Sequence, residues 1–251
     1  MSIADRLTAI RQRITTAAQS AGRDPSSVQL VAVSKTFPIE SVHEAYAAGQ
    51  RLFGENRVQE ALDKIAVFNP PGIRWHLLGH LQSNKAKKAA PAFAMIQSID
   101  SVDLLQRLDR AAEEAGASPE LLIQIDLAGE ATKFGVRPEE APAIFEAAGN
   151  CHSARVVGLM TLPPLADQPE DARPWFSRLR DLRDGWLTEG TPAPMLRELS
   201  MGMSGDFEVA VQEGATIVRV GTAIFGSRPH LIPGAAPDGP PDSPTDPPTD
   251  A

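Results

Sequence analysis

A lysine closes an otherwise apolar stretch near the start of the chain, in the sequence VQLVAVSKT at residues 28–36. Such a run is typical of a strand that is buried on both faces of a parallel sheet. If the run is extended, side chains alternate, so Val31, Val33 and Lys35 lie on one face. An amine placed there has two interpretations: it reaches water at the strand tip, or it is held dry enough to lose its proton and act as a nucleophile. Position alone leaves both open.

Two later segments have the composition of anion-binding loops. The first, SMGMSGD at residues 200–206, places small residues before a helix-like segment, and the second, RVGT at residues 219–222, is a small-residue turn with a hydroxyl. Backbone N–H groups in such turns can approach phosphate oxygens closely, aided by the positive end of a helix dipole. The two loops together predict a phosphate site.

Arg219 is expected to point inwards. Alternation puts Ile217, Arg219 and Gly221 on one side of a strand, opposite the two valines between them. A buried guanidinium needs an acceptor, because burying it without one is costly. That acceptor is either a nearby carboxylate such as Glu198 or an atom of a bound ligand.

Eight short apolar runs supply the strands that position these groups. They lie at residues 28–34, 52–53, 73–78, 95–99, 121–127, 156–160, 196–200 and 216–220. Strands alternating with helix-like segments over about 250 residues predict an α/β fold, a closed (βα)₈ TIM barrel. The alternative is an open Rossmann-type sheet, but no G-x-G-x-x-G follows the first strand. In such barrels phosphate commonly lies at the loops after strands seven and eight.

An extra amphipathic helix precedes the first strand. Ser2 and Asp5 have the spacing of an N-cap pair, and apolar residues recur on one stripe until Gly22. The segment after the eighth strand, GTAIFGSRP, is too short for a full covering helix. We therefore expect the N-terminal helix to cover the gap between strands eight and one.

Composition argues against several classes of protein. The 251 residues are 42% hydrophobic and 22% charged, which is ordinary for a globular protein. The net charge of −8 includes four aspartates at residues 229–251, and the −4 that remains argues against a nucleic-acid binder. No stretch approaches the roughly 20 apolar residues of a membrane span, and the N-terminus does not have the pattern of a secretory signal. We expect no membrane association.

The remaining composition bears on compartment, metals and domains. Cys151 is the single cysteine, so no internal disulfide is possible and a cytoplasmic location is expected. The five histidines show no ligand spacing such as H-E-x-x-H, so no metal site is predicted. The Pro/Asp-rich tail at residues 229–251 is expected to be disordered, leaving residues 1–228 as one barrel domain.

Lys35, the two phosphate loops and Arg219 become neighbours once the barrel closes. An amine, an anion site and a donor to a ring nitrogen are what pyridoxal 5′-phosphate (PLP) requires of a protein. The other lysines fit this role less well, since they fall in a helix, on a solvated helix face or at the rim. They are Lys64, Lys85, Lys87, Lys88 and Lys133.

Longer motifs carry a resemblance to a known family. They are VAVSKT, FGENRVQE, WHLLGHLQSNK, GEATKFG, GLMTLPP and LSMGMSGDFEVAVQEGATIVRVGTAIFG, in that order. Over roughly residues 5–228 the chain resembles the pyridoxal phosphate homeostasis proteins of the YggS/PROSC type, which are related to the N-terminal barrel of alanine racemase. The resemblance implies a PLP-binding barrel of that type at residues 1–228. Arg57 departs from the family pattern, where an aromatic residue is frequent.

The resemblance also implies a set of cofactor-binding residues. The set is Lys35, Asn56, His80, Ser200, Met201, Arg219, Gly221 and Thr222. In the family pattern Lys35 forms a Schiff base with PLP and Arg219 lies near the pyridine nitrogen. Phosphate contacts would come from Ser200, Gly221 and Thr222.

The resemblance implies a role in intracellular PLP homeostasis, in which the protein buffers or delivers the cofactor and has no catalytic activity of its own. An arginine beside the pyridine nitrogen favours the unprotonated ring, which weakens the cofactor as an electron sink. A two-base racemase also needs a second acid/base on the opposite face, commonly a tyrosine. The only tyrosine, Tyr46, falls in a predicted helix.

Two other functions stay open at this point. One is a weak PLP-dependent amino-acid racemase or lyase, with His80 as the second base. The other is a Schiff-base aldolase acting on a sugar phosphate, for which the same lysine and anion site would serve. For a cofactor carrier, we expect a monomer that binds PLP and makes transient contact with PLP-dependent apo-enzymes.

Overall fold

A computed structural model of the protein describes residues 1–129, 134–164 and 167–226, and eight parallel strands in this part of the chain form a closed barrel. The strands are β1 (Gln29–Val33), β2 (Leu52–Glu55), β3 (Arg74–Leu77), β4 (Met95–Ile99), β5 (Glu120–Gln124), β6 (Arg155–Met160), β7 (Glu198–Ser200) and β8 (Ile217–Val220). Their order around the barrel is their order in the chain, and β8 pairs with β1. The predicted (βα)₈ TIM barrel with an extra N-terminal helix is confirmed.

Helices surround the barrel. They are α1 (Ile3–Ser20), α2 (Ile39–Ala47), α3 (Val58–Val67), α4 (Ala86–Ala89), α5 (Val102–Ala115), α6 (Ala141–Ala148), α7 (Arg173–Thr188), α8 (Phe207–Gln212) and α9 (Thr222–Phe225). Among the described residues, no helix combines the length and apolar character needed to cross a membrane.

Alternation along the strands divides the core into two layers. The inner layer fills the barrel with Val31, Met95, Leu122, Val157, Met160 and Ile217. A larger apolar layer lies between the strands and the helices. Val31 is paired with Arg219 in the β1–β8 register, and Ile217 is inward, so Arg219 faces the interior as predicted.

Helix α1 covers the junction of the last and first strands, as expected. Its capping box joins Ser2 and Asp5, and its apolar stripe is buried. The helix packs against α2, α8 and α9. Arg6 Nη1 donates a hydrogen bond to the carbonyl oxygen of Ile224 at 2.9 Å, which joins α1 to α9.

Some predicted boundaries differ from the structure. The seventh strand begins at Glu198 and not at residue 196, because Ala193–Leu196 form a short 3₁₀ turn that contains a proline. The first strand ends at Val33, two residues before Lys35. Lys133 and the tail at residues 229–251 lie outside the described residues.

Candidate functional site

Lys35 lies in a turn at the carboxyl end of β1 and is half-buried. The sequence predicted it to share the face of Val31 and Val33 on an extended strand, but the chain leaves the strand before it. Thr36, the next residue, has φ = +66°, a conformation that β-branched residues rarely adopt. Its backbone N–H donates to Glu60 Oε1 at 2.6 Å. The reactive candidate therefore sits at a sharp bend, and helix α3 holds the residue after it.

The loop after β7 is shaped by close backbone packing. Gly202 has φ = +92°, and a Cβ atom there would lie 2.5 Å from Ala210 Cβ. The carbonyl oxygen of Gly202 accepts a hydrogen bond from the backbone N–H of Arg219 at 3.0 Å. Glycine is required here because only it combines this φ with the close approach of α8. The β7 loop is thereby tied to β8.

Ser204 brings the two predicted phosphate loops together. Its Oγ accepts hydrogen bonds from the backbone N–H groups of Gly221 at 3.3 Å and Ala223 at 3.4 Å. Two amides at the start of α9, on either side of Thr222, are thus aimed at one oxygen. Convergence of this kind is the geometry by which such turns bind anions. In the sequence, Ser204 is only one of several small residues in its loop.

A chain of buried hydrogen bonds crosses the barrel interior from Arg219. Arg219 Nη1 donates to Ser200 Oγ at 2.7 Å, and Nη2 donates to the carbonyl oxygen of Thr161 at 2.9 Å. Ser200 Oγ donates to Gln97 Oε1 at 2.6 Å, and Gln97 Nε2 lies 3.1 Å from His76 Nδ1. Since arginine can only donate, the directions follow along the chain. His76 Nδ1 must accept, and its proton lies on Nε2.

Arg219 and His76, the two ends of this hydrogen-bond chain, both have strongly shifted pKa values. Burial lowers the pKa of Arg219 to about 10, an effect that the negative charge of Asp206 opposes. Arg219 is 4% exposed. Burial, together with Arg74, lowers the pKa of His76 to about 3, so this imidazole is neutral at pH 7. Its Nε2 is buried and has no hydrogen-bond partner among the described residues.

The proposed acceptor Glu198 does not pair with Arg219. Its Oε1 accepts from Arg197 Nε at 2.7 Å, and its Oε2 accepts from the hydroxyl of Thr216 at 2.6 Å. Glu198 lies two residues earlier on β7 than Ser200, at the amino end of the strand. The sequence suggested two acceptors for Arg219, the carboxylate of Glu198 or an atom of a bound ligand. The first is wrong, because Glu198 bonds to Arg197 and Thr216 instead.

Ser200 and Met201 are fully buried, whereas Gly221 and Thr222 are accessible at the rim of the barrel. Ser200 is fully buried, and its one proton goes to Gln97. The Met201 side chain packs in the layer between strands and helices, and its N–H donates to the carbonyl oxygen of Ile217 at 3.1 Å. Gly221 and Thr222 lie at the rim after β8. The predicted phosphate contacts therefore fall at two different depths.

Asn56 and His80 lie at the mouth of the barrel, which is formed by the carboxyl ends of the strands. They follow β2 and β3, on the other side of β1 from the loops after β7 and β8. Gly79 lets the two loops approach, because a Cβ atom there would lie 2.2 Å from the carbonyl oxygen of Asn56. His80 Nδ1 lies 3.1 Å from Asp100 Oδ2, and the ring stacks on Phe134 with centroids 3.8 Å apart. His80 thus has a carboxylate within ion-pair distance of its ring.

A cavity of about 350 Å³ adjoins Asn56 and His80. Its lining includes Arg57, Lys85 and Lys88. Lys87, by contrast, points away and pairs with Glu114 at 3.0 Å. Lys85, Lys87 and Lys88 were predicted to share one solvated helix face. Lys85 and Lys88 contribute positive charge beside the mouth, and Lys87 does not. Among the described residues, no group of three or more histidine, cysteine or carboxylate side chains could hold a metal ion.

Comparison with known proteins identifies the family to which this sequence belongs. Residues 6–229 match the family model described as alanine racemase, N-terminal domain. The pyridoxal phosphate homeostasis protein of Aquifex aeolicus is 42% identical over 230 residues, which is 92% of this chain and 100% of the relative. That of Pseudomonas aeruginosa is 43% identical over 233 residues, 92% of this chain and 98% of the relative. The chain belongs to the pyridoxal phosphate homeostasis protein family.

Solved structures agree with this family. PipY of Synechococcus elongatus, solved with PLP bound, is 44% identical and superposes with a TM-score of 0.79, covering 90% of this chain and 100% of PipY. Alanine racemase of Clostridium difficile superposes with a TM-score of 0.69 at 15% identity, covering 90% of this chain and 58% of the racemase. That second likeness concerns the fold alone. The family and the barrel of alanine racemase N-terminal type, both named from motifs, are confirmed.

Proposed function

We propose that this protein binds PLP at the barrel mouth, with Lys35 as the covalent attachment residue, and that it stores the cofactor and passes it on. The observation that carries the proposal is the arrangement of three groups on the adjacent strands β7, β8 and β1. They are the Lys35 turn, the amides of Gly221 and Ala223 aimed at one oxygen, and the inward Arg219. The PLP bound in the solved structure of PipY supports the same function.

The residues present fit the chemistry of PLP. When bound, PLP supplies an aldehyde that forms a Schiff base with an amine, and a ring that can accept electrons. Lys35 would supply the amine. Gly221, Thr222 and the N–H of Ala223 would hold the phosphate. The phosphate oxygens would then take the place of Ser204 Oγ as acceptors for Gly221 and Ala223. Arg219 has five N–H donors, so donors beyond its two bonds to Ser200 and Thr161 can serve a ring nitrogen.

Arg219 also favours storage over catalysis. Its pKa of about 10 keeps the guanidinium charged at pH 7. A charged guanidinium would donate to the ring nitrogen of bound PLP and favour its unprotonated form. Bound in this way, PLP would supply a weaker electron sink for carbanion chemistry. The function is therefore that of a PLP carrier in vitamin B6 homeostasis.

The attachment site is tested by borohydride reduction followed by peptide mass analysis. The purified protein incubated with PLP should absorb in the near-ultraviolet or visible range, and reduction should fix the cofactor on the peptide that contains Lys35. Lys35→Ala should lose the covalent chromophore, while the control Lys87→Ala should keep it. A Lys35→Ala protein that still holds PLP covalently at another lysine would refute the proposal.

One observation favours a weak racemase or lyase as a second candidate. Asp100 Oδ2 lies 3.1 Å from Nδ1 of the His80 imidazole at the mouth, and histidine is the side chain that most often transfers protons in catalysis. Incubation of the PLP-loaded protein with L-amino acids in D₂O tests it by α-proton exchange. Exchange that His80→Gln abolishes would favour this function, and no exchange favours storage. A Schiff-base aldolase would carry no near-ultraviolet or visible absorption as purified.

Carrier function has consequences for partners and assembly. We infer transient contacts with PLP-dependent apo-enzymes, a monomeric state and a cytoplasmic location. Light scattering on the full chain measures the mass in solution. Transfer is measured by mixing the PLP-loaded protein with an apo-enzyme in the presence of a trap for free PLP. Activation of the enzyme despite the trap supports direct contact.

A further inference from the structure

Lys64 is a buried cation at the mouth of the barrel that the proposed function does not use. It lies on α3, and its side chain is 10% exposed. Its Nζ contacts the carbonyl oxygen of Ser34 at 2.8 Å, Glu55 Oε1 at 2.7 Å and Glu60 Oε1 at 3.0 Å. An ammonium group has three donors, and each has an acceptor here. From sequence Lys64 was only a lysine in a helix.

The contacts of Lys64 bracket Lys35 in the chain. Ser34, the residue before, gives its carbonyl oxygen directly to the ammonium. Thr36, the residue after, donates its N–H to Glu60 Oε1, the same oxygen that contacts Lys64. One side chain therefore anchors, directly or through one carboxylate, both peptide neighbours of the reactive lysine.

A second tie runs through Glu55. Ser34 Oγ donates to Glu55 Oε1 at 2.7 Å, and this oxygen also contacts Lys64. Glu55 is fully buried. Burial raises the pKa of Glu55, and the charge and hydrogen bond of Lys64 oppose that rise. Lys64 thus stabilises the charged carboxylate that fixes the hydroxyl of Ser34.

The conformation of Thr36 explains why such anchoring is needed. Its φ of +66° is unfavourable for a β-branched residue. Backbone strain of this kind persists only where the surroundings hold it, and it clusters at functional sites. The hydrogen bond from Thr36 to Glu60 is a contact of this kind, and it holds the residue that follows Lys35.

We propose that Lys64 is a positioning residue that fixes the turn of Lys35 and so presents its amine to an aldehyde. This inference rests on the proposed attachment of PLP at Lys35. Lys64 itself does not touch the cofactor. Its effect is on the rate at which the Schiff base forms, and not on the affinity for the phosphate group.

The test compares Lys64→Met with the control Lys87→Met, which removes an exposed lysine on α4. Pyridoxine 5′-phosphate, which has no aldehyde, reports non-covalent binding, and stopped-flow absorbance with PLP reports Schiff-base formation. We expect Lys64→Met to bind pyridoxine 5′-phosphate within twofold of wild type and to form the Schiff base at least tenfold more slowly. Lys87→Met should match wild type in both. Equal loss of both properties, or no loss of rate, would overturn the proposal.

Hydrogen exchange of the Thr36 amide gives a readout that needs no cofactor. Glu60→Ala leaves the Lys64–Glu55 pair in place and removes the acceptor of Thr36, so it serves where Lys64→Met does not fold. We expect at least tenfold faster exchange of the Thr36 amide in either variant, and unchanged exchange in Lys87→Met. Wild-type exchange rates in both variants would overturn the anchoring. Failure of the proposed function would instead show as trapping of PLP away from Lys35 in the wild-type protein.

Discussion

Gln97 is the middle of the hydrogen-bond chain that supports Arg219, and Gln97→Leu removes it with little change in volume. The variant leaves the hydroxyl of Ser200 without its acceptor and His76 Nδ1 without its donor, and all three side chains are buried. A buried polar group without a partner costs about 1–3 kcal/mol. For two such groups we expect the free energy of unfolding to fall by about 2–6 kcal/mol.

The charged variant Gln97→Glu changes the pH dependence of stability. In the wild type, burial lowers the pKa of His76 to about 3, against about 6.5 in the unfolded chain. The unfolded state therefore binds more protons between these values, and His76 makes stability rise with pH there by up to about 1.4 kcal/mol per pH unit. A carboxylate beside Nδ1 favours the imidazolium and raises the pKa of His76, which flattens this slope. Burial also raises the pKa of the introduced Glu, which acts in the same direction.

Urea denaturation at several pH values between 4.5 and 7.5 measures both effects. The control is Gln59→Leu, which changes an exposed glutamine that bonds to Asp63 on α3, and its effect should stay within about 0.5 kcal/mol. Nitrogen NMR of the wild type should show the His76 proton on Nε2. A Gln97→Leu protein as stable as wild type, or a His76 proton on Nδ1, would refute the reasoning.

Three further predictions concern the loops at the mouth. Gly79→Ala places a methyl group against the carbonyl oxygen of Asn56, so urea denaturation should show a loss of about 1–3 kcal/mol. Ser204→Ala removes the acceptor of two long hydrogen bonds and should cost about 0.5–1.5 kcal/mol. Calorimetry should show undiminished affinity for pyridoxine 5′-phosphate, because the freed amides can hold phosphate oxygens. Replacing Lys85 and Lys88 by Gln should slow association of PLP in stopped-flow experiments at low salt, and the difference from wild type should disappear at about 1 M salt.

The fold could be predicted from the sequence because the residue patterns that specify it lie within short stretches of the chain. Strands buried on both faces read as apolar runs, and eight such runs separated by helical patterns leave few alternatives to a closed barrel. The inward direction of Arg219 followed from alternation along one strand. The stripe on α1 and the short segment after β8 predicted which helix covers the closure. In each case the signal lies within a short stretch of neighbouring residues.

The sequence was enough to name the candidate reactive groups of the site but not the residues that support them. Lys35 and the loops after β7 and β8 were singled out because their residue types match a chemistry. The bond from Ser200 to Gln97 joins residues 103 positions apart, and no local pattern distinguishes this glutamine from a surface one. The turn at Thr36 was missed because a threonine with positive φ has no propensity signal. Long-range contacts impose both features.

Arg219 illustrates why the mouth is arranged as it is. Its partners are a hydroxyl and a carbonyl oxygen, which are weaker acceptors than a carboxylate. A carboxylate in contact would be more stabilising, but it would occupy the donors that we propose for the ring nitrogen of PLP. Asp206 acts on Arg219 only through its charge, and its Oδ1 is occupied by the N–H of Met203. Among the described residues, Arg219 therefore has two acceptors for its five donors, and in the proposed binding mode the neutral ring nitrogen of PLP would be a further acceptor.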